Sequence, residues 1–282
     1  MNVRKASQAL SARFYFASSG GEIQEGREKA DETIPPSAAE PGKGFFLSFF
    51  VPRRGFWVTP LLLDLNFLVF LAMCLSGVGI FFPDNVDLLH WGADFAPLTL
   101  TGDYWRVLTC NYVHVGLIHL AMNMYALLFI GLFLEPLAGS RRMAMAYVLS
   151  GLYASLASLS VNAEWIAAGA SGAIFGLYGL FFAYLLFRRG KTLLVSIAVF
   201  ILYNLLFGMR DDSVDNAAHV GGLGCGFLLG LAYGMSDKVR EKSKRMVVAC
   251  LAEFVLLSEF ICWFSALTHG MPPDYQDVRE VW

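Results

Sequence analysis

Residues 217–235 read AAHVGGLGCGFLLGLAYGM and contain no Asp, Glu, Lys or Arg. A segment of this length and composition can cross a hydrocarbon layer of about 30 Å as an α-helix. Gly222, Gly226, Gly230 and Gly234 recur at every fourth position, so they share one helical face. This is the small-xxx-small spacing that lets helix backbones approach each other in membranes. The stretch therefore predicts a transmembrane helix that packs closely against a neighbour.

Six more apolar segments of similar length flank this stretch. They predict membrane-spanning helices near residues 61–82, 112–134, 143–161, 170–187, 192–208 and 246–268. Of the 282 residues, 56% are hydrophobic and 16% are charged, whereas a soluble domain carries roughly 25% charged residues. A net charge of -2 offers no basic surface for nucleic acid, so no nucleic-acid partner is predicted. The predicted fold class is all-α, a polytopic membrane helical bundle with seven transmembrane helices.

The polar and basic stretches around these spans predict the remaining organisation. Residues 1–44 are polar and contain Pro35-Pro36 and Pro41-Gly42, which is typical of a disordered tail. Aromatic residues surround Arg53-Arg54, which indicates a segment lying in the membrane interface. The predicted order is a disordered polar cytoplasmic tail (1–44), an interfacial juxtamembrane segment (45–60), a six-span core (61–235), a basic cytoplasmic linker (236–245), the seventh span (246–268) and an external tail (269–282).

The basic residues predict the orientation, because Lys and Arg are retained on the cytoplasmic side of a membrane. They cluster before the first span and in alternate loops, at Arg53, Arg54, Arg141, Arg142, Arg188, Arg189, Lys191, Lys238, Arg240, Lys242, Lys244 and Arg245. The N-terminus is therefore predicted to be cytoplasmic and the C-terminus external. A bacterial cytoplasmic membrane is favoured. The alternative is a mitochondrial membrane, because the first 20 residues contain Arg4, Lys5 and Arg13 but no acid.

The span near 170–187 opens on Gly169-Ala170-Ser171-Gly172, on the predicted external side. In a structural interpretation, the Ser171 hydroxyl caps free backbone N–H groups at the start of the helix. In a functional interpretation, Ser171 is a nucleophile, and the free N–H groups and the positive helix end stabilise an oxyanion beside it. The small Gly169 and Gly172 would let a peptide backbone approach. Because position 173 is alanine, this is not the G-x-S-x-G elbow of soluble hydrolases.

His219 opens the 217–235 span from the same side. An intramembrane histidine can simply bond a neighbouring carbonyl, but histidine is also the commonest general base for a hydroxyl nucleophile. The glycine face that begins at Gly222 predicts packing against Gly172 and the rest of the serine-bearing span. Ser171 and His219 would then lie at the same depth, as a Ser-His pair requires. Phe175, one turn after Ser171, is expected to pack against the His219 ring.

A third polar cluster lies in the span near 112–134. His119 and Asn123 are four residues apart and share a helical face, whereas the spacing of His114 predicts that it points away. An imidazole N–H and an amide are suitable donors to an oxyanion. Neutral imidazoles without a carboxylate or thiolate cluster make a poor zinc set, so no metal is predicted. Asp215, four residues before His219, could complete a triad or be a loop charge, and a Ser-His dyad is the simpler prediction.

Together these motifs resemble the rhomboid family of intramembrane serine proteases. The resemblance covers about residues 60–235. It rests on Trp105-Arg106, on His114, His119 and Asn123, on Gly169-Ala170-Ser171-Gly172 and on Ala218-His219-Val220-Gly221-Gly222. It implies a six-helix catalytic core that cleaves transmembrane proteins near the membrane surface, and the seventh span resembles the six-plus-one arrangement of some members.

The resemblance also implies individual roles. Ser171 would be the nucleophile and His219 the general base, while His119, Asn123 and the Ser171 backbone N–H would form the oxyanion hole. Glu135 corresponds to a family glutamate with a structural role. Trp105-Arg106 would shape the first external loop, at about residues 83–111 and called the first loop below, and take no part in the chemistry. Cys110 stands where some relatives carry a histidine, which is expected to affect loop packing.

The predicted activity is that of a serine endopeptidase with no cofactor. Its partners would be the lipid bilayer and transmembrane substrates with helix-destabilising residues, because a helical carbonyl is already hydrogen-bonded. One alternative is a non-proteolytic rhomboid-like protein that binds or escorts membrane-protein clients, and another is a small transporter. Ser171 and His219 disfavour the first, and the location of most acids in loops disfavours the second. In the seventh span, Glu253 is predicted to snorkel and Glu259 to pair within the bundle.

Overall fold

The computed structural model describes residues 49–187, 191–211, 213–271 and 275. Within these residues the chain forms ten α-helices and no strand, which confirms the all-α fold class. The predicted tail at 1–44, part of the 45–60 segment, most of the 269–282 tail and the basic residues Arg188 and Arg189 lie outside the described residues. The helices are α1 (Val58–Leu75), α2 (Asn85–His90), α3 (Ala96–Thr99), α4 (Arg106–Thr109), α5 (Leu117–Ala138), α6 (Ser140–Val161), α7 (Ser171–Leu186), α8 (Lys191–Gly208), α9 (Asn216–Asp237) and α10 (Lys242–His269).

Seven of these helices occupy the predicted spans. By length and composition, α1, α5, α6, α9 and α10 can each cross a membrane. The other two, α7 and α8, are shorter apolar helices. A polytopic helical bundle is therefore confirmed, and the crossing of the membrane by all seven helices stays a prediction.

Two helix boundaries differ from the predicted spans by five residues or more. The first span was expected to reach residue 82, but α1 ends at Leu75, just before Gly77 with φ +100°. The second was expected to begin at residue 112, but α5 begins at Leu117, directly after Gly116 with φ +86°. Glycine adopts such a left-handed conformation without steric cost, so each residue allows a sharp change of direction.

The glycine faces of α7 and α9 meet inside the bundle. There is no room for a side chain at Gly222 or Gly226, because a Cβ there would overlap the backbone oxygens of Gly172 and Gly176. On its other side, α7 lies against α6, where a Cβ at Gly176 would overlap Ser150. The predicted small-xxx-small packing is confirmed, and it holds α6, α7 and α9 together at backbone distance.

The first loop is folded around Arg106. Its guanidinium donates hydrogen bonds to the carbonyl oxygens of Leu89 and Ala93 at 2.6 and 3.0 Å. It also pairs with Asp103 at 3.0 Å and lies 4.6 Å from the ring centre of Trp105. These contacts connect the short helices of the loop and agree with the loop-shaping role predicted for Trp105 and Arg106.

Glu135 is buried near the C-terminal end of α5 and caps the beginning of α1. One carboxylate oxygen accepts the backbone N–H groups of Trp57 and Val58 at 2.7 and 2.8 Å, and the other accepts that of Thr59 at 2.8 Å. A carboxylate at this position satisfies free helix N–H groups and complements the positive helix end. The structural role predicted for Glu135 agrees with this geometry.

A buried acid anchors α10 to the other helices. Glu253 lies 2.7 Å from the Arg141 guanidinium and accepts the Tyr233 hydroxyl at 2.7 Å, and its side chain is only 7% exposed. The prediction that Glu253 snorkels is wrong, because its carboxylate is buried and accepts hydrogen bonds from Arg141 of α6 and Tyr233 of α9. Glu259 is exposed on α10, so the prediction that it pairs inside the bundle is also wrong.

Candidate active site

Ser171 and His219 are in contact at the end of the bundle where α7 and α9 begin. The Oγ atom of Ser171 lies 3.0 Å from Nε2 of His219. The two residues are 48 positions apart in the sequence, and the close packing of Gly222 on Gly172 brings their helix ends together. The pairing predicted from the glycine spacing is confirmed as geometry.

The interpretation of Ser171 as a helix cap is wrong. The N-cap position of α7 is Ala170, no side chain caps the helix there, and Ser171 is the first helical residue. The Ser171 hydroxyl instead contacts His219, and among the described residues no side-chain hydrogen bond caps the start of α7. Backbone N–H groups at such a helix start can bind an anionic atom.

The His219 ring is held face to face with Phe175. The ring centres lie 4.1 Å apart and the planes are inclined by 12°, which confirms the predicted packing. His219 is 8% exposed, so the imidazole is fixed between Phe175 and Ser171 away from bulk water. This arrangement presents Nε2 to the serine hydroxyl.

Asp215 does not bind the His219 ring. Its carboxylate accepts the backbone N–H of Ala218 at 3.0 Å and the Asn162 amide at 2.9 Å. The Nδ1 atom of His219 has no hydrogen-bond partner within the part of the chain that is described. The possible triad with Asp215 is therefore not formed, and the contact consists of two side chains.

His119 lies against the segment that leads into α7. Gly169 has φ +124°, and a Cβ there would lie 2.6 Å from Cε1 of His119. The Gly169 N–H donates to the carbonyl oxygen of Cys110 at 2.9 Å, which fixes this segment on the first loop. Glycine is needed here for both its conformation and its lack of a side chain. The structure thus brings His119 beside the residues that precede Ser171.

Asn123 is buried one helical turn after His119. Its amide donates to the carbonyl oxygen of His119 at 3.0 Å, and an amide group carries a second hydrogen that remains for another acceptor. The common helical face of His119 and Asn123 is as predicted. Their role as oxyanion donors is not tested by these contacts and stays a prediction.

His114 is fully buried beside His119, with the two ring centres 5.3 Å apart. The expectation that it points away assumed that α5 includes position 114. Because α5 begins only at Leu117, helical spacing does not determine where His114 lies. Among the described residues, no three His, Cys, Asp or Glu side chains converge on a position suitable for a metal ion.

Asp94 is a residue near the site that the sequence analysis missed. Its buried carboxyl accepts hydrogen bonds from the Thr99 and Ser155 hydroxyls, and its backbone pairs in both directions with Ala167 at 2.8 Å. Burial raises the pKa of Asp94 to about 6, although both hydrogen bonds act to lower it. Asp94 thereby connects the first loop to the segment just before Ser171. In the sequence it is one loop acid among several, with no spacing that distinguishes it.

Comparison with known proteins gives the family. The chain is 33% identical over 211 residues to RHOMBOID-like protein 5 of Arabidopsis thaliana, and the alignment covers 66% of this chain and 68% of that protein. The chain belongs to the rhomboid family. The model of the Rhomboid domain matches residues 101–236, which include both Ser171 and His219.

Two bacterial proteins named rhomboid proteases are also similar to this rhomboid. Rhomboid protease GluP of Bacillus subtilis (strain 168) is 35% identical over 196 residues, covering 68% of this chain and 38% of that protein. Rhomboid protease AarA of Providencia stuartii is 29% identical over 211 residues, covering 65% of this chain and 75% of that protein. The chain thus spans about two fifths of the length of GluP. Its family and its apolar helices make it a multi-pass integral membrane protein.

Proposed function

We propose that this rhomboid is an intramembrane serine endopeptidase that hydrolyses peptide bonds of transmembrane proteins near the external membrane surface. The observation that carries the proposal is the 3.0 Å contact between Ser171 Oγ and His219 Nε2 at the start of two packed helices. A histidine nitrogen at hydrogen-bond distance from a serine hydroxyl is the arrangement of an activated nucleophile. The relatives named as proteases support the same activity.

The contact defines a sequence of proton and bond changes. As the Ser171 oxygen attacks the carbonyl carbon of a substrate peptide bond, its proton passes to Nε2 of His219. The protonated imidazole then gives this proton to the departing amine, and the C–N bond breaks to leave an acyl group on Ser171. Water attacks the acyl group with His219 again as base, which releases the carboxylate product and restores the hydroxyl.

The negative oxygen of each tetrahedral intermediate requires hydrogen-bond donors. The Ser171 backbone N–H lies at the uncapped start of α7, and His119 lies beside Gly169 in the preceding segment. We propose that these two groups form the oxyanion hole together with Asn123, which lies one turn after His119. The substrate helix must unwind locally to expose a carbonyl, so substrates with glycine or proline near the cleavage site are expected to be favoured.

The alternative is a rhomboid that binds or escorts membrane-protein clients without cleaving them. A fluorophosphonate probe separates the two functions, because it forms a covalent adduct only with an activated serine. We expect the wild-type protein in detergent or bilayers to be labelled at Ser171, and Ser171→Ala and His219→Ala to lose the label. Ser160→Ala is the matched control, since Ser160 is exposed on α6 and, among the described residues, its hydroxyl bonds only to Leu156 of its own helix. Absence of a Ser171 adduct, in a preparation where another rhomboid reacts, would favour the client-binding alternative.

A further inference from the structure

Asp215 connects the helix that carries His219 to a neighbouring helix. It is the N-cap residue of α9, and its carboxylate accepts the N–H of Ala218 at 3.0 Å. The same carboxylate accepts the Asn162 amide at 2.9 Å and the Ser158 hydroxyl, both at the C-terminal end of α6. Three donors from two helices therefore converge on one side chain.

This connection lies one helical turn from His219, close to the Ser171 and His219 pair. The Asp215 carbonyl oxygen accepts the backbone N–H of His219 at 3.1 Å, so the two residues lie one turn apart at the start of α9. The same α6 packs against α7, where a Cβ at Gly172 would overlap Ala154. Because α6 contacts both helices, fixing α9 to α6 also fixes the height of α9 relative to α7.

We propose that Asp215 is a positioning residue, which sets the distance between His219 Nε2 and Ser171 Oγ by attaching the first turn of α9 to α6. The inference rests on the proposed function, since it concerns the proton transfer between these two atoms. Asp215 makes no hydrogen bond to the imidazole, whose Nδ1 has no partner among the described residues, so its proposed action on the distance runs through the helix. Misplacing a reacting group by about 1 Å can cost roughly 10²-fold in rate.

Three substitutions at Asp215 separate its capping of α9 from its attachment of α9 to α6. Asp215→Asn keeps all three contacts, because the amide oxygen accepts from Ala218 and Asn162 while the amide nitrogen donates to Ser158. Asp215→Ser retains a good N-cap hydroxyl but is too short to reach α6. Asp215→Ala removes both the cap and the attachment. The readouts are the rate of Ser171 labelling by a fluorophosphonate per folded molecule, kcat and KM on a transmembrane substrate, and the unfolding temperature.

We expect Asp215→Asn to react within about threefold of the wild type. Asp215→Ser and Asp215→Ala should label about 10-fold more slowly or worse, with kcat reduced and KM little changed. Asp237→Ala is the matched control, because Asp237 attaches the other end of the same helix to Arg142 and Tyr184 at 2.8 and 3.1 Å. It should lower the unfolding temperature and leave the labelling rate of folded protein unchanged.

Several outcomes would overturn the inference. Wild-type labelling by folded Asp215→Ser or Asp215→Ala would show that the attachment does not position His219. An equal loss in Asp237→Ala would show that any weakening of α9 has the same effect. If the wild-type protein itself fails to react at Ser171, the proposed function fails and this inference fails with it. If the wild type reacts and the Asp215 variants react equally fast, only this inference fails.

Discussion

The contact of Ser171 with His219 distinguishes this serine from an ordinary helix cap. A serine at a helix start ordinarily caps backbone N–H groups. Here it lies one position inside α7, makes no capping bond, and places Oγ 3.0 Å from His219 Nε2. Within the described part of the chain no side chain caps this helix start, and its free N–H groups are the donors that we propose for the oxyanion.

The proposed oxyanion donor Asn123 can be tested by a single substitution. Asn123→Ala should lower kcat by about 10²–10³ with little change in KM, because an oxyanion donor acts mainly in the transition state. Steady-state cleavage of a model transmembrane substrate by the purified variant measures this effect. A matched control is Asn204→Ala, since the Asn204 amide donates to the Phe200 carbonyl oxygen within α8 and to no other group in the part of the chain that is described. A kcat for Asn123→Ala equal to that of the wild type would remove Asn123 from the proposed oxyanion hole.

Residues next to the site differed in how well the sequence could predict them. Phe175 was placed correctly because it lies one turn from Ser171, within reach of helical periodicity. Asp94 and the attachment of Asp215 could not be placed, since their partners Ser155 and Ser158 are 61 and 57 positions away. Such pairs depend on how helices pack, which local spacing does not specify.

Among the elements, the paired glycine faces of α7 and α9 determine where the Ser-His contact forms. At Gly226 a Cβ would overlap the Gly176 backbone, which cannot move aside as a flexible side chain could. An added methyl must therefore push the two helices apart. The same displacement would separate Ser171 from His219, which lie where α7 and α9 begin.

Gly226→Ala should accordingly lower both the unfolding temperature and the rate of Ser171 labelling, with a loss of stability of about 1–3 kcal/mol. Gly224→Ala is the matched control on the same helix, because nothing lies within 4 Å of a Cβ at that position. Thermal unfolding and probe labelling of both variants provide the measurement. Equal unfolding temperatures and labelling rates of the two variants would show that the glycine faces of α7 and α9 are not packed as closely as described.

The helices themselves were largely predictable, whereas their ends were less so. Long apolar segments indicated all seven positions because lipid requires about 20 apolar residues for each crossing helix. The C-terminal end of α1 and the start of α5 differ from the prediction, because the loop between them is also apolar and aromatic. The turn at Gly116, where a Cβ would overlap the Phe81 backbone, depends on a contact with that loop.

For the whole molecule, the distribution of basic residues predicts which end of the bundle is external. A cysteine introduced at Ser213, in the loop before α9, should react with a membrane-impermeant maleimide in intact cells. A cysteine at Ser243, at the opposite end of the bundle near the start of α10, should react only after the membrane is opened. Both positions are exposed, and labelling of the unsubstituted chain provides the background. The reverse pattern would place the Ser-His contact on the cytoplasmic side.

We propose that Ser171 and His219 together cleave a transmembrane protein. The most direct measurement is mass spectrometry of a single-span substrate incubated in liposomes with the purified wild-type protein, Ser171→Ala or His219→Ala. We expect one or a few cleavage products near the external end of the substrate helix for the wild type, and no product above background for either variant. Products of equal yield from folded Ser171→Ala protein would contradict the proposed activity.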